Sequence, residues 1–493
     1  AKSIAAMQHL GPNPKAMFNE LVTFANDLAI EGGDTKVIGQ LQTDSARIGQ
    51  FEALYDEVAG NAGRLPPIDN WRGKLARSLN FTKNLSSSAI LGAVTLTSFG
   101  DLGTAAVRLA DVGVGFMDAH ASTLSGLIKG RRSGEIREVA DSIGVGMESL
   151  MASIQSRWLG NDIGDGHGSH LISTVMRVTG MNWLNDTMKT SVGLTMGNYI
   201  AKQAGKSFDG INKNLRFEME AYGITADDFD AITASVRDVD GKVYIDLDNI
   251  VDRGAAQRFQ EFVVGFTDSA ILTPGARTNA FVRNTIGSGQ RGDIMTEVGN
   301  LFFHVKSFSI AYGTEILGRA YSKGEGARIG YAIHLLVSSL VYGYLASSLK
   351  DIAKGRAPRD PREPATWGKA LLTSGGAGFY GDILIGYLTE EKRLGSGPFE
   401  QAAGPVLGVL GRGIKLAEYA VKGEGDKAAQ EAFRLGKSVL PFGNVWYARA
   451  ALDYLIFWEM AEYLRPGFAA KFERRVREDT GQDMFLKPTD AVR

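Results

Sequence analysis

One uncharged stretch constrains this chain of 493 residues more than any other feature of its sequence. From Ile329 to Leu349 there are 21 consecutive residues without Asp, Glu, Lys or Arg, and His334 is the only ionisable residue there besides the tyrosines. As an α-helix, a stretch of this length would extend about 30 Å, the thickness of the hydrocarbon core of a bilayer. The sequence therefore predicts a helix that either crosses a membrane or is buried inside a helical assembly, and both alternatives stay open.

The residues within and after this stretch fit the membrane alternative. Tyr331, Tyr342 and Tyr344 belong to a residue type that collects at membrane–water interfaces. Basic residues outnumber Asp351 and Asp360 directly after the stretch, as is typical of a flank on the cytoplasmic side of a membrane. The candidate membrane segment is represented by Ile329, Tyr331, His334, Leu336, Val341, Tyr344 and Leu349, and its basic flank by Lys350, Lys354, Arg356, Arg359 and Arg362.

The rest of the sequence predicts an all-α fold, an elongated multi-helix assembly with at most one small β-hairpin. Apolar residues recur at helical spacing in most windows. Residues 238–248 differ, because Val243 and Ile245 alternate with polar residues after Asp240-Gly241. This pattern predicts a hairpin near 236–247.

A chain of this length is expected to divide into several helical units. The apolar segment at 86–109 is uncharged only from Ser86 to Gly100, which is too short for a membrane span, so a buried helix is expected there. The predicted regions are an N-terminal helical region 1–85, a helical region 86–235 with that apolar segment, a region 236–325 with the hairpin and further helices, an apolar, glycine-rich region 326–425 that interacts with membranes, and a region 426–493 with an aromatic helix and a charged C-terminal tail.

Composition excludes several kinds of chemistry. The chain has no cysteine, so disulfides, cysteine nucleophiles and thiolate metal sites are excluded. Its net charge of −1 gives no electrostatic footprint for nucleic acid at the level of the whole chain. Glycine is abundant, with 61 residues against 13 prolines, which in a helical protein favours close contact between helices.

Three motifs in the sequence could indicate an enzyme or a metal site. Residues 287–292 (GSGQRG) match a dinucleotide-binding loop, but the preceding strand and the βαβ unit that such a loop requires are missing from the pattern. Glu148-Ser149 is similar to the Glu-Ser pair of lytic transglycosylases, without the glycine-rich substrate motif of that family. His167 and His170 lie near two aspartates at a spacing that matches no zinc motif. We therefore predict no catalytic residue, no cofactor, no metal site and no enzymatic activity.

Five stretches between roughly residues 90 and 485 carry a resemblance to a known family. They are LGAVTLTSFGDL (91–102), ILTPGARTNAF (271–281), FFHVKSFSIAYGTEILGRA (302–320), GGAGFYGDIL (375–384) and LPFGNVWYARAALDYLIFWEM (440–460). Together they resemble the large internal virion, or DNA-ejection, proteins of short-tailed bacteriophages, and the C-terminal halves of those proteins in particular. None of the stretches carries catalytic chemistry.

The resemblance implies a protein packaged in the capsid interior, as a homo-oligomeric ring near the portal and beside other internal virion proteins. On infection, such proteins leave the virion and help to form a conduit for phage DNA across the host periplasm and inner membrane. Two other classes of protein stay open on the sequence. One is a purely structural virion or portal-core scaffold that never enters a bilayer, and the other is an enzyme, either a cell-wall hydrolase using Glu148 or a nucleotide-binding protein using residues 287–292.

Overall fold

The fold is helical apart from one two-stranded hairpin and an isolated bridge, in the part of the chain that the structure describes. This computed structural model describes residues 7, 10–33, 50–59, 69–129, 134–143, 145, 174–272, 275–290, 292–303, 307–321, 323–374, 398–440 and 445–492. The predicted all-α class is confirmed.

The helices before the hairpin are α1 (Pro14–Glu31), α2 (Gln50–Ala59), α3 (Trp71–Thr97), α4 (Asp101–Asp111), α5 (Phe116–Lys129), α6 (Gly134–Ser142), α7 (Met181–Ala201), α8 (Lys213–Ala221) and α9 (Ala226–Ala234). Those after it are α10 (Arg253–Ala270), α11 (Ala276–Thr285), α12 (Ile294–Phe303), α13 (Ser307–Ala311), α14 (Gly318–Tyr321), α15 (Glu325–Ile352), α16 (Pro364–Thr373), α17 (Pro398–Val421), α18 (Gly425–Val439), α19 (Arg449–Leu452), α20 (Trp458–Leu464), α21 (Phe468–Thr480) and α22 (Pro488–Ala491). Two π-helical turns join α13 to α14 (Tyr312–Leu317) and α19 to α20 (Asp453–Phe457). Short 3₁₀ turns lie at Ser98–Gly100, Phe208–Gly210 and Leu247–Asn249.

The predicted hairpin is confirmed. Strand β1 (Val236–Val239) pairs antiparallel with β2 (Lys242–Ile245). The two residues between the strands, Asp240 and Gly241, have φ values of 54° and 75°. Positive φ at both positions is what a tight hairpin turn requires, and Asp-Gly supplies it at low cost.

The main hydrophobic core lies between α4, α7 and α10. Every residue from Asp101 to Leu109 is buried, so α4, which contains the last part of the apolar segment at 86–109, is surrounded by protein on all sides. Phe259, Phe262 and Phe266 of α10 are among the largest apolar side chains of the core. The core also takes in Tyr342 of α15, so it draws on three of the predicted regions.

A buried ion network ties this core to the segment that leads into α15. The Arg108 side chain is 1% exposed, and its guanidinium lies over the Phe266 ring, 4.4 Å from the ring centre. It donates to Glu218, and Arg319 shares that carboxylate at 3.0 Å. Because each buried cation has a carboxylate partner, the charges offset one another. The ion pairs of the network are Arg108–Glu218, Arg108–Asp111, Arg319–Glu218 and Lys323–Asp111.

Replacing Arg108 with Ala is expected to lower the free energy of unfolding by about 3–5 kcal/mol, because the largely buried carboxylates of Glu218 and Asp111 each lose one of their two cationic partners. Urea denaturation at neutral pH measures the change. Arg474→Ala is the matched control, since Arg474 pairs with Glu478 in an exposed ion pair on α21, and its loss should cost less than about 1 kcal/mol. Equal, small losses for the two variants would show that the network contributes nothing beyond a surface pair.

Candidate functional site

The candidate membrane segment lies entirely within α15. The helix starts after Gly324 and continues to Ile352, and the Ala353 N–H closes its last turn on the Leu349 carbonyl at 2.9 Å. Among the described residues, it is the one helix long and apolar enough to cross a membrane. The core helix of a soluble protein can meet the same criterion, so the way in which α15 packs has to distinguish the two alternatives.

The side of α15 that faces the protein carries small and hydroxyl-bearing residues. Its buried residues, called the inward face below, include Ser338, with an exposed fraction of 1%, and Ala346, with 0%. Hydroxyls and small side chains, and few aliphatic ones, therefore make this helix's contact with the core. Within the candidate membrane segment, the inward face consists of Tyr331, Leu335, Ser338, Ser339, Tyr342, Gly343, Ala346 and Ser347.

Glycines bring α15 very close to α4 and α16. A Cβ added at Gly343 would fall well inside van der Waals contact with the Ala370 carbonyl of α16. On α4, a Cβ at Gly103 would lie 3.0 Å from the Tyr342 ring and 3.2 Å from the Ser338 carbonyl oxygen. Backbone approach of this kind requires glycine, and it fixes which side of α15 faces inward.

The opposite side of α15 is aliphatic and faces solvent. The exposed fraction there reaches 57% at Ile333 and 54% at Val341. In a helix of a water-soluble domain the larger apolar side chains normally face the core, and α15 has the reverse arrangement. This outward face consists of Ile329, Ile333, Leu336, Val337, Val341 and Leu345.

The predicted residues of the segment divide between these two sides. Ile329, Leu336 and Val341 lie on the outward face, and Leu349 is half-buried. Tyr331 points inward and donates its hydroxyl to the Ile316 carbonyl in the π-helical turn at 3.3 Å. Two of the three tyrosines expected at a membrane interface, Tyr331 and Tyr342, are therefore directed into the protein in this conformation.

The third tyrosine, Tyr344, lies at the edge of the inward face near the basic flank. Its hydroxyl donates to the Arg359 carbonyl at 3.1 Å, and its ring stacks on Trp367 with the ring centres 5.6 Å apart. This tyrosine therefore holds the flank against the end of α15.

The basic flank is folded onto the C-terminal part of the chain. Arg356 forms an isolated bridge with Met484. Asp351 is buried and faces Arg359 at 3.5 Å and Lys369 at 3.3 Å. Burial, together with nearby Arg449, Arg356 and Lys350, lowers the pKa of Lys354 to about 7.

Of the five basic residues of the flank, Arg362 is the exposed one, and Lys350, Lys354, Arg356 and Arg359 are partly buried. The flank is thus a folded cationic surface at one end of α15, with part of its charge offset by Asp351.

The glycine-rich loop at 287–292 uses its backbone amides within the protein. The Ser288 N–H donates to the Asp293 carboxylate at 3.2 Å, the Gly289 N–H donates to the Thr296 hydroxyl at 3.0 Å, and the Gly292 N–H donates to the Glu297 carboxylate at 2.9 Å. These side chains occupy the donors that a dinucleotide phosphate would need. The loop is therefore held by the N-terminal residues of α12.

One group of residues at this site is not apparent from the sequence. His120 on α5 and His334 on α15 are 214 positions apart, yet their Nε2 atoms lie 3.1 Å apart. No local spacing in the sequence relates the two residues, so only the packing of α15 on α5 shows the pair.

The other candidate residues, Glu148, His167, His170 and the nearby Asp162 and Asp165, lie outside the described residues. Within the described ranges, no group of three or more His, Cys, Asp or Glu side chains is placed to hold a metal ion. Comparison of the chain with family models, with curated proteins and with solved structures found no match.

The close approach of α15 to α16 gives a test within one helix. Gly343→Ala is expected to destabilise the protein by about 1–3 kcal/mol, because the added methyl group forces α16 away. Gly330→Ala is the matched control, since a Cβ at Gly330 meets nothing within 4 Å, and alanine there should be neutral or stabilising by about 0.5–1 kcal/mol. Thermal unfolding of both variants measures the difference, and equal melting temperatures would contradict the packing described.

A second test concerns the loop before α12. Burial alone would raise the pKa of Asp293, but the hydrogen bonds that it accepts from Ser288 and Thr296 hold this pKa below its ordinary value. Asp293→Ala should therefore cost about 1–2 kcal/mol at pH 7. Because the pKa is lower in the folded state, the advantage of wild type over the variant is present above about pH 4 and disappears as the pH falls through the folded-state pKa. Denaturation curves at pH 7 and pH 3 measure it, and an equal difference at both would be inconsistent with an ionised cap.

Proposed function

We propose that the chain is an internal virion protein of the short-tailed bacteriophage kind. It forms a homo-oligomeric ring in the capsid core, beside the portal and other internal virion proteins. On infection it leaves the virion and helps to form a channel for phage DNA across the host periplasm and inner membrane. The observation that carries the membrane part of this proposal is the aliphatic outward face of α15.

An exposed aliphatic face of this size favours a non-aqueous partner. Burying a Val, Leu or Ile side chain fully contributes about 1.5–3 kcal/mol. The six side chains of the outward face are roughly half exposed, so about half of that free energy would still be gained if a partner covered them. Large apolar side chains outside and small residues inside are the arrangement of helices in a bilayer, where lipid covers the large side chains. The uncharged segment from Ile329 to Leu349, which carries this face, is long enough to cross the full thickness of a membrane.

Charge supports the same assignment. The cationic flank lies at the C-terminal end of α15, where anionic headgroups of a cytoplasmic leaflet would meet it. A chain with a net charge of −1 also suits a conduit, because DNA passing through it would not be held by phosphate contacts.

Val341→Lys is the variant that tests the membrane assignment. Val341 lies near the middle of the segment and its side chain is exposed, so lysine should leave the fold intact but oppose insertion by about 2.5–3.5 kcal/mol, roughly a hundredfold in partitioning. Flotation of the full chain with liposomes containing anionic lipid, together with dye release, measures this. Val251→Lys, at a fully exposed apolar residue outside α15, is the matched control and should float like wild type.

The structural-scaffold alternative gives a different result in the same experiment. If a second copy of the chain covers the outward face, wild type will not float, and Val341→Lys will instead lower the oligomeric state measured by light scattering. That outcome would overturn the membrane assignment. Charges at Ser338 or Ser339 cannot separate the two alternatives, because both serines are buried within the protein and their replacement would disturb the fold itself.

A further inference from the structure

The imidazoles of His120 on α5 and His334 on α15 meet head to head. Their Nε2 atoms are 3.1 Å apart and the ring centres are 5.3 Å apart, so each Nε2 points almost directly at the other. The second nitrogen of His120, Nδ1, lies 3.1 Å from the Tyr342 hydroxyl. Ser338 places its hydroxyl 3.4 Å from His120 Nε2. Through these contacts, His120 joins the middle of the candidate membrane segment to the rest of the protein.

Only one proton fits between the two Nε2 atoms. A hydrogen bond needs one donor and one acceptor, so one ring donates its Nε2–H and the other must keep a lone pair. A first added proton can go to an outer Nδ1, at the cost of placing a charge in a partly buried site. A second proton would set two N–H groups and two positive charges against each other at 3.1 Å. Full protonation of both rings is therefore incompatible with this contact.

The surroundings disfavour charge on the pair. The Phe116 ring lies against both imidazoles, with ring centres 4.7 Å from His120 and 4.4 Å from His334. Burial lowers the pKa of His120 below its ordinary value. The packing of this part of the protein thus opposes the uptake of even the first proton.

Few groups around the pair could compensate an added charge. From α15, the pair meets the neutral hydroxyls of Ser338 and Tyr342, and from α7 the neutral Ser191 contacts the α5 backbone at Ser122. The carboxylate from α4 is Asp111, which already pairs with Lys323 and Arg108. On α5 itself, Asp118 lies half a turn before His120.

We propose that His120 and His334 form a proton-operated latch, which holds α15 against α5 at neutral pH and releases it when the medium becomes mildly acidic. In the released state both rings are in water and titrate near their ordinary value of about 6.5. The released state therefore binds more protons than the latched state. The contribution of the latch is fully present above about pH 6.5 and is lost as the pH falls below it. Release would remove the α5 contact of α15 and so lower the free-energy cost of moving this helix into a bilayer, a consequence that rests on the proposed function, whereas the latch itself does not.

Hydrogen–deuterium exchange of the full chain without lipid tests the latch. Peptides from α15 are followed between pH 7.5 and pH 5.5, with rates corrected for the intrinsic pH dependence of exchange. The opening constant of α15 is expected to rise about tenfold for each proton taken up on release, and so by about ten- to a hundredfold. Peptides from α10, in the main core, serve as an internal reference and should change much less.

Matched variants assign the effect to this pair. The chain has six histidines, so replacing His9, His167, His170 and His304 with Gln leaves only the pair, and this control should keep the full pH response. His120→Gln with His334→Gln should remove it. His334→Gln alone leaves one titratable ring, so the opening constant of α15 should rise about tenfold at most between pH 7.5 and pH 5.5. This single variant serves as the test if the double variant does not fold at pH 7.5.

An unchanged pH response in the variants without the pair, or a flat response in wild type, would overturn the latch. Liposome flotation at the same pH values separates this result from the proposed function. If α15 opens in acid but the chain never floats, the latch stands and the membrane role fails. If the chain floats equally at all pH values while α15 exchange stays flat, the membrane role stands and the latch is wrong.

Discussion

The close contact of the inward face of α15 with α4 and α16 is the constraint on which the arrangement of this protein depends. Gly103 and Gly343 let the helix backbones approach so closely that a residue with a Cβ atom would not fit at either position. Once that side faces inward, helical geometry places the aliphatic side chains on the opposite side. The exposed apolar face is thus a direct consequence of packing through small residues, and the buried network of Arg108 holds the segment before α15 in the position that this contact needs.

The hydropathy of the sequence predicts the position of α15 but not which side of the helix faces the protein. A run of 21 uncharged residues is visible in the sequence whichever way the helix turns. Which side faces inward depends on partners far along the chain, namely Gly103 on α4 and Ala370 on α16. For the same reason, tyrosines within the run fit a membrane interface by composition, although Tyr331 and Tyr342 are anchored inside the protein.

Features that depend on neighbouring residues could be predicted from the sequence, whereas contacts between residues far apart in the chain could not. The hairpin followed from Asp240-Gly241, because two residues with positive φ determine a tight turn by themselves. The function of the GSGQRG loop could not be predicted from the motif alone. Its glycines allow the backbone conformation of the loop, but the side chains of Asp293, Thr296 and Glu297 accept the hydrogen bonds from its amide groups. The pairing of His120 with His334 depends entirely on the tertiary fold.

A helix that is to be buried in two different surroundings must lose little when it changes partners. Ser347 donates its hydroxyl to the Tyr344 carbonyl in its own helix at 3.0 Å, so that polar group stays satisfied whether α15 faces protein or lipid. Contacts through small residues and hydrophobic burial respond little to mild acid, because neither involves a group that titrates there. Of the contacts described between α5 and α15, the histidine pair is the one whose strength changes between pH 7.5 and pH 5.5. Under the proposed function, apolar packing would make α15 transferable to a bilayer, and the imidazoles would make that transfer depend on the pH of the medium.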